Sequence, residues 1–147
     1  MTRLIPPVLF LALLLPLALL WLYHPGGFVM RSDRDMPWDV PLALGLIVLI
    51  WARIQFKRVD TEIHTFRRPE RLVTTGVFRF SRNPMYLGFL LLLVGAAFYV
   101  NTWCALLLPL AFFAFASFWY IPYEERTLRA VFGSEYNTYA SRVRRWI

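Results

Sequence analysis

Phe78-Arg79-Phe80-Ser81-Arg82-Asn83-Pro84-Met85-Tyr86-Leu87-Gly88 is the stretch where a basic loop turns into an apolar helix. Proline is accepted at the first position of a helix, where its missing N–H costs nothing, so Pro84 marks a start. No charged residue follows from 84 to 100. A helix of that composition, with arginines before it, is expected to cross a bilayer with its basic end anchored at the headgroups. The rest of the chain can be read outward from this junction.

On the N-terminal side, residues 57–83 form a long basic loop. It holds Lys57, Arg58, Arg67, Arg68, Arg71, Arg79 and Arg82 against Asp60, Glu62 and Glu70. Its apolar and aromatic content predicts that it packs. Before it, 40–56 is a spanning candidate, with Asp39 as a cap and Pro41 in the first turn. Earlier still, 4–23 is an almost unbroken apolar run, interrupted only by prolines. It is long for the apolar part of a leader, and no small-x-small cleavage site follows it, so it is expected to remain as a span. Between these two runs, Arg31 and Arg34 are balanced by Asp33 and Asp35.

On the C-terminal side, Asn101-Thr102 makes an uncharged turn, and 103–121 returns as a further span. Gly88 and Gly95 share one face of the third helix and would let another helix approach closely. Ala111, Ala114 and Ser117 make a small-residue seam on the fourth, and Pro109 is a candidate kink. The tail, 122–147, differs in character. Pro122 is expected to open a new helix with Glu124 and Glu125 in its first turn, and Gly133 to break it. Tyr136, Tyr139, Val143 and Trp146 then fall on one helical face flanked by Arg142, Arg144 and Arg145. That pattern predicts a helix lying at the membrane surface.

Composition agrees. The 147 residues are 59% hydrophobic and carry a net charge of +7, with a mean hydropathy of +0.51. Basic residues crowding one side of a bilayer explain the charge better than nucleic acid binding does. The expected fold is all-α: a single integral membrane domain over 1–147, with about four transmembrane helices and a C-terminal interfacial helical tail. The basic loop and both termini share the cytoplasmic side, and a cell inner membrane is the expected location.

The signals of common nucleophile, metal and phosphate sites are absent from the sequence. His24 and His64 are forty residues apart and belong on opposite sides of the membrane, so no metal site is expected. Cys104 has no second cysteine to pair with. What remains is a polar cluster at one depth. Arg79, Arg82, Asn83 and Tyr86 sit at the start of helix three, and Glu124 and Glu125 follow helix four. A tight hairpin makes those helices antiparallel, so the two groups meet. Such a cluster serves equally as a site for a mixed-charge ligand or as an ion-pair network pinning the tail.

The run Leu72-Val73-Thr74-Thr75-Gly76-Val77 followed by 78–88 resembles the first signature of the isoprenylcysteine carboxyl methyltransferase and phospholipid methyltransferase superfamily, usually Arg-His-Pro-x-Tyr-x-Gly. Its second signature is a Glu-Glu pair after the last span, followed by Phe-Gly-x-x-Tyr-x-x-Tyr. This chain has Glu124-Glu125, then Phe132-Gly133-Ser134-Glu135-Tyr136-Asn137-Thr138-Tyr139. The resemblance covers about residues 60–147.

It implies a small helical membrane enzyme that uses S-adenosyl-L-methionine, bound on the cytoplasmic side between the hairpin and the folded-back tail. Carried over residue by residue, it implies cofactor binding by Arg82, Asn83, Pro84, Tyr86, Gly88, Glu124 and Glu125. Candidate catalytic groups are Tyr86, Glu124 and Glu125. Arg79 and Arg82 are the candidates for steering an acidic acceptor. The implied partners are membrane lipid and an apolar or lipidated acceptor, with carboxylate O-methylation favoured over phospholipid amine N-methylation. Asn83 departs from the family's histidine and cannot become cationic at neutral pH. A noncatalytic lipid- or partner-binding protein of the same fold therefore stands as an alternative. A channel or transporter is disfavoured, because no polar stripe crosses any span.

Overall fold

The computed structural model describes residues 6–23, 37–58 and 71–147. Basic-loop residues 59–70 and the connection 24–36, with His24 and His64, lie outside the described residues. Five helices are described: α1 (Pro6–Tyr23), α2 (Asp39–Arg58), α3 (Pro84–Val100), α4 (Leu107–Phe115) and α5 (Ile121–Arg142). Among the described residues, three helical stretches are long and apolar enough to cross a membrane: Pro6–Tyr23, Asp39–Lys57 and Trp103–Arg142. The fourth, Pro84–Val100, is apolar and shorter. Seventeen residues rise about 25 Å, close to the hydrocarbon thickness. The chain is thus an all-helical multi-pass membrane protein.

The core lies between α1, α3 and α4. Leu17, Leu93, Ala97, Val100 and Phe112 are buried there, and Phe10 stacks on Phe89 with ring centroids 4.9 Å apart. On its other side α3 packs against α2 through glycines. A Cβ added at Gly88 would lie 2.6 Å from Leu49 Cγ, and one at Gly95 2.9 Å from the Trp38 carbonyl oxygen. The glycine face read from the sequence is therefore the α2–α3 seam. Leu11, Leu15, Leu19, Ile47, Ile50 and Phe118 are exposed, as side chains facing lipid must be.

Pro84 is the first residue of α3, as the sequence predicts. At the other end Asn101 takes a left-handed conformation (φ 55°, ψ 38°) and closes the helix. Thr102 Oγ1 then accepts from the Ala105 N–H at 3.3 Å. Residues Trp103–Leu106 form a tight 3-10 turn before α4 begins. Pro109 consequently falls in the first turn of α4, where it needs no kink.

The fourth span departs from expectation at its far end. No break precedes the tail. The helix widens over Ala116–Tyr120, where the Ile121 N–H reaches the Ala116 carbonyl five residues back, and continues directly into α5. Pro122 lies inside this continuous helix. The interruption comes at Gly133 (φ 51°, ψ −118°), as the sequence suggests.

The tail also ends differently. α5 stops at Arg142, and Val143 is extended (φ −118°, ψ 131°). Tyr136, Tyr139, Val143 and Trp146 are therefore not one helical face. Tyr136 is fully buried, and Trp146 packs on Phe113 with centroids 5.0 Å apart. This aromatic set turns inward onto the protein.

Candidate active site

The wall of the site is built from residues 71–83. Val73, Val77 and Phe78 bury themselves against Ala52 of α2, and Phe56 meets Phe78 edge-on at 5.1 Å. The described part of the basic loop thus packs, as its composition predicts. Gly76 has a φ of 61°, and a Cβ there would run into the Gln55 side chain. Residues Gly76–Arg79 form a 3-10 turn, after which the Phe80 and Ser81 N–H groups both return to the Val77 carbonyl. That turn delivers Ser81, Arg82 and Asn83 to the start of α3.

The end of the tail is laced to this turn. The Arg82 N–H donates to the Arg144 carbonyl at 3.0 Å. Asn83 Nδ2 donates to the Arg145 carbonyl at 2.9 Å, and Ser81 Oγ donates to the same oxygen at 3.3 Å. Tyr139 OH donates to the Phe78 carbonyl at 2.7 Å. Each bond joins residues some sixty positions apart in sequence, so tail and loop form one unit.

Glu125 is the centre of this unit. It is 3% exposed. Arg145 donates through Nε to Oε1 at 2.9 Å and through Nη2 to Oε2 at 2.8 Å. Arg82 Nη1 lies 3.2 Å from Oε1, and Arg129 Nη2 lies 3.5 Å from Oε2. Burial alone would raise the Glu125 pKa. The Arg145 hydrogen bonds and the charges of Arg82, Arg145 and Arg129 outweigh it, and hold the carboxyl below its usual range. Arg145 is correspondingly raised, chiefly by its hydrogen bonds to Glu125. Arg82 Nη1 also donates to Tyr136 OH at 3.2 Å, and Arg129 lies 5.9 Å over the Tyr136 ring. Burial, then the Glu125 charge, raises Tyr136; burial likewise raises Tyr139.

Glu124 points elsewhere. Tyr86 OH donates to its Oε1 at 3.0 Å, and the Tyr86 ring lies 6.3 Å from that of Tyr120. Neighbouring helical positions face about 100° apart. The two glutamates accordingly serve different partners, one toward α3 and one toward the arginines.

Of the residues singled out from sequence, Arg82, Asn83, Tyr86, Glu124 and Glu125 come together. Pro84 is buried beneath them as the helix start. Gly88 is not among them: it sits on the α2–α3 seam. Arg79 is exposed and has no ion pair among the described residues. Arg129, Tyr136 and Arg145 also belong to the cluster, although the sequence pattern sets Tyr136 and Arg145 on a surface stripe. Arg129 had a signal, standing four residues after Glu125 on the same helical face.

The phospholipid methyltransferase family profile matches residues 40–135. Protein-S-isoprenylcysteine O-methyltransferase B of Arabidopsis thaliana is 38% identical over 110 residues, covering 69% of this chain and 53% of that protein. A probable protein-S-isoprenylcysteine O-methyltransferase of Oryza sativa subsp. indica is 42% identical over 79 residues, 50% of this chain and 38% of that one. The chain thus spans about half or less of the length of these curated relatives. No solved structure matches it significantly. The matched region takes in α2, the loop, the hairpin and the Glu124–Glu125 pair, and the chain belongs to the phospholipid methyltransferase family.

Proposed function

We propose that this chain transfers a methyl group from S-adenosyl-L-methionine to the carboxylate of an apolar, isoprenoid-bearing acceptor, at the cytoplasmic face of the membrane it spans. The observation that carries the reading is the seal between loop and tail. It gathers Arg82, Asn83 and Tyr86 with Glu124 and Glu125 at the basic end of the helices. The names of the relatives favour a carboxylate acceptor.

The residues suit the cofactor's chemistry. Arg82 keeps a buried Nε–H with no acceptor among the described residues, a donor suited to a ligand carboxylate. Glu124 offers negative charge for an ammonium or sulfonium, while Glu125, held by three arginines, fixes Arg82 in place. Arg82 and Asn83 would hold the carboxylate end and Glu124 with Tyr86 the cationic portion, with Glu125 contributing through Arg82. Pro84 and Gly88 would act through shape, one starting α3 and the other setting its distance from α2. The cofactor supplies an activated methyl group when bound. The protein must orient the acceptor and exclude water. A carboxylate with a pKa of about 4 is already ionised and needs no base. Arg79, exposed at the rim, and Arg82 would steer it. The apolar outer faces of the helices would admit the isoprenoid from the bilayer.

A second reading is amine N-methylation of a phospholipid, favoured by the family description. An amine must lose a proton, and Glu124, bonded to Tyr86, is the group placed to accept it. One experiment separates these readings. Protein in lipid nanodiscs is given methyl-labelled S-adenosyl-L-methionine with either an N-acetyl S-prenylcysteine or phosphatidylethanolamine. Label that base releases as methanol marks ester formation; base-stable label in lipid marks N-methylation. Folded protein that labels neither supports the noncatalytic alternative.

A further inference from the structure

Two adjacent glutamates reach two different sets of partners, so the rotation of α5 about its own axis decides which residue meets Tyr86. That rotation is set just upstream, in the wide turn at Ala116–Tyr120. A turn closed by a bond to the fifth residue back contains one residue more than an α-helical turn. Every later residue then occupies the place its predecessor would hold in an unbroken α-helix. Without the wide turn, Tyr123 would stand opposite Tyr86 and Glu124 would face Arg82, while Leu128 would take the place of Arg129 on the same helix.

The cause of the wide turn lies in the sequence beside it. Pro122 has no N–H to give the carbonyl of Phe118 four residues back, and its ring crowds that oxygen. Widening the preceding turn relieves the clash within a continuous helix. The Ser117 hydroxyl, inside this turn, is buried with no hydrogen-bond partner among the described residues. No side-chain hydrogen bond from Ser117 accounts for the extra residue.

We propose that Pro122 is a positioning residue: by enforcing the wide turn it selects Glu124, rather than Tyr123, as the partner of Tyr86, and Glu125 as the centre of the arginine cluster. The inference rests on the methyltransferase reading for its functional consequence, not for the register itself. After a one-residue rotation Glu124 can still face Arg82, but Tyr136 and Tyr139 leave their partners Arg82 and Phe78. Loss of the proline therefore changes the site and loosens the tail, and the register is read on protein that melts cooperatively.

The test reads register directly. In a Cys104→Ala background, cysteines are placed at 86 with 124, or at 86 with 123, and treated with a short bifunctional thiol reagent. The parent is expected to cross-link 86 to 124. Pro122→Ala is expected to shift the cross-link to 123 and to lower methyl transfer about a hundredfold, the scale of losing a transition-state contact. Deleting Phe118, an exposed residue of the wide turn, from Pro122→Ala keeps α-helical spacing and advances every later residue by one place. It should restore the 86–124 cross-link in the cysteine pair, and activity in the protein that keeps Tyr86 and Glu124. Tyr123→Glu in Pro122→Ala should restore activity by another route. Should Pro122→Ala fold poorly, deletion of Phe118 with Pro122 kept should re-form the wide turn and move the cross-link to position 125. Unchanged 86–124 cross-linking in Pro122→Ala, or in that deletion, would overturn the proposal. A cross-link from 86 to 124, beside a Cys104→Ala protein that keeps Tyr86 and Glu124 yet transfers no methyl group to any acceptor, would refute the methyltransferase reading and leave the register result standing.

Discussion

Arg145, near the end of the chain, closes two guanidinium nitrogens on the carboxylate of Glu125 at 2.9 and 2.8 Å. This fork joins the tail to the first turns of α5, while the Arg145 carbonyl accepts from Asn83 and Ser81 of the loop. A single residue therefore ties three segments together.

Glu125→Ala should be the most damaging substitution in the cluster. It leaves Arg82, whose side chain is 12% exposed, as a buried cation without its counter-charge. Breaking such a pair costs about 3–5 kcal/mol. Thermal unfolding in detergent measures it. Arg82→Ala combined with Glu125→Ala should cost clearly less than the two single losses added, because each single change strands the other partner.

The same carboxylate sets an acid limit. Its folded pKa is depressed, so the folded state binds a proton less readily than the unfolded chain. The stabilisation is complete at neutral pH and is lost as pH falls below about 4.3, the unfolded value, toward the folded one. Unfolding midpoints recorded from about pH 7 downward should fall in that range, and Glu125→Gln should flatten the decline.

Arg145→Ala should loosen the tail more than it destabilises the core. The Arg145 side chain is 44% exposed, so solvent screens the pair, and a cost of about 1 kcal/mol is expected. Faster proteolysis after Gly133, with the unfolding midpoint little changed, would be the signature. Asn83→Asp should have a related effect. It removes the donor to the Arg145 carbonyl and sets a carboxylate against that oxygen, at a cost of about 1–3 kcal/mol.

Gly95→Val should destabilise the α2–α3 seam by about 1–3 kcal/mol. A Cβ there already meets the Trp38 carbonyl at 2.9 Å, and a backbone oxygen within a helix contact cannot swing aside. Thermal unfolding of Gly95→Ala and Gly95→Val should show a graded loss.

Spans, hairpin turn and helix start were legible because composition and proline position dictate them locally. The meeting of Arg82 with Glu125 followed from antiparallel helices alone. The tail was misread where a periodic pattern outran the helix: Tyr136 to Trp146 keeps helical spacing, but the chain turns extended at Val143. Nothing local announces that Arg145 will return to Glu125, because that contact depends on the turn at Gly133 and on carbonyls offered to Asn83 and Ser81. The continuity of the helix through Pro122 was hidden for a similar reason. A proline reads as a start, and only the widened turn before it allows the helix to pass.

The measurement that bears most directly on the account is calorimetric titration of S-adenosyl-L-methionine into purified protein with lipid present, beside Arg82→Lys and Glu124→Gln. The parent is expected to bind saturably, and each substitution to weaken binding about tenfold or more, since each removes a charge-assisted contact. Cooperatively folded parent protein that binds none, or equal binding by all three, would contradict it.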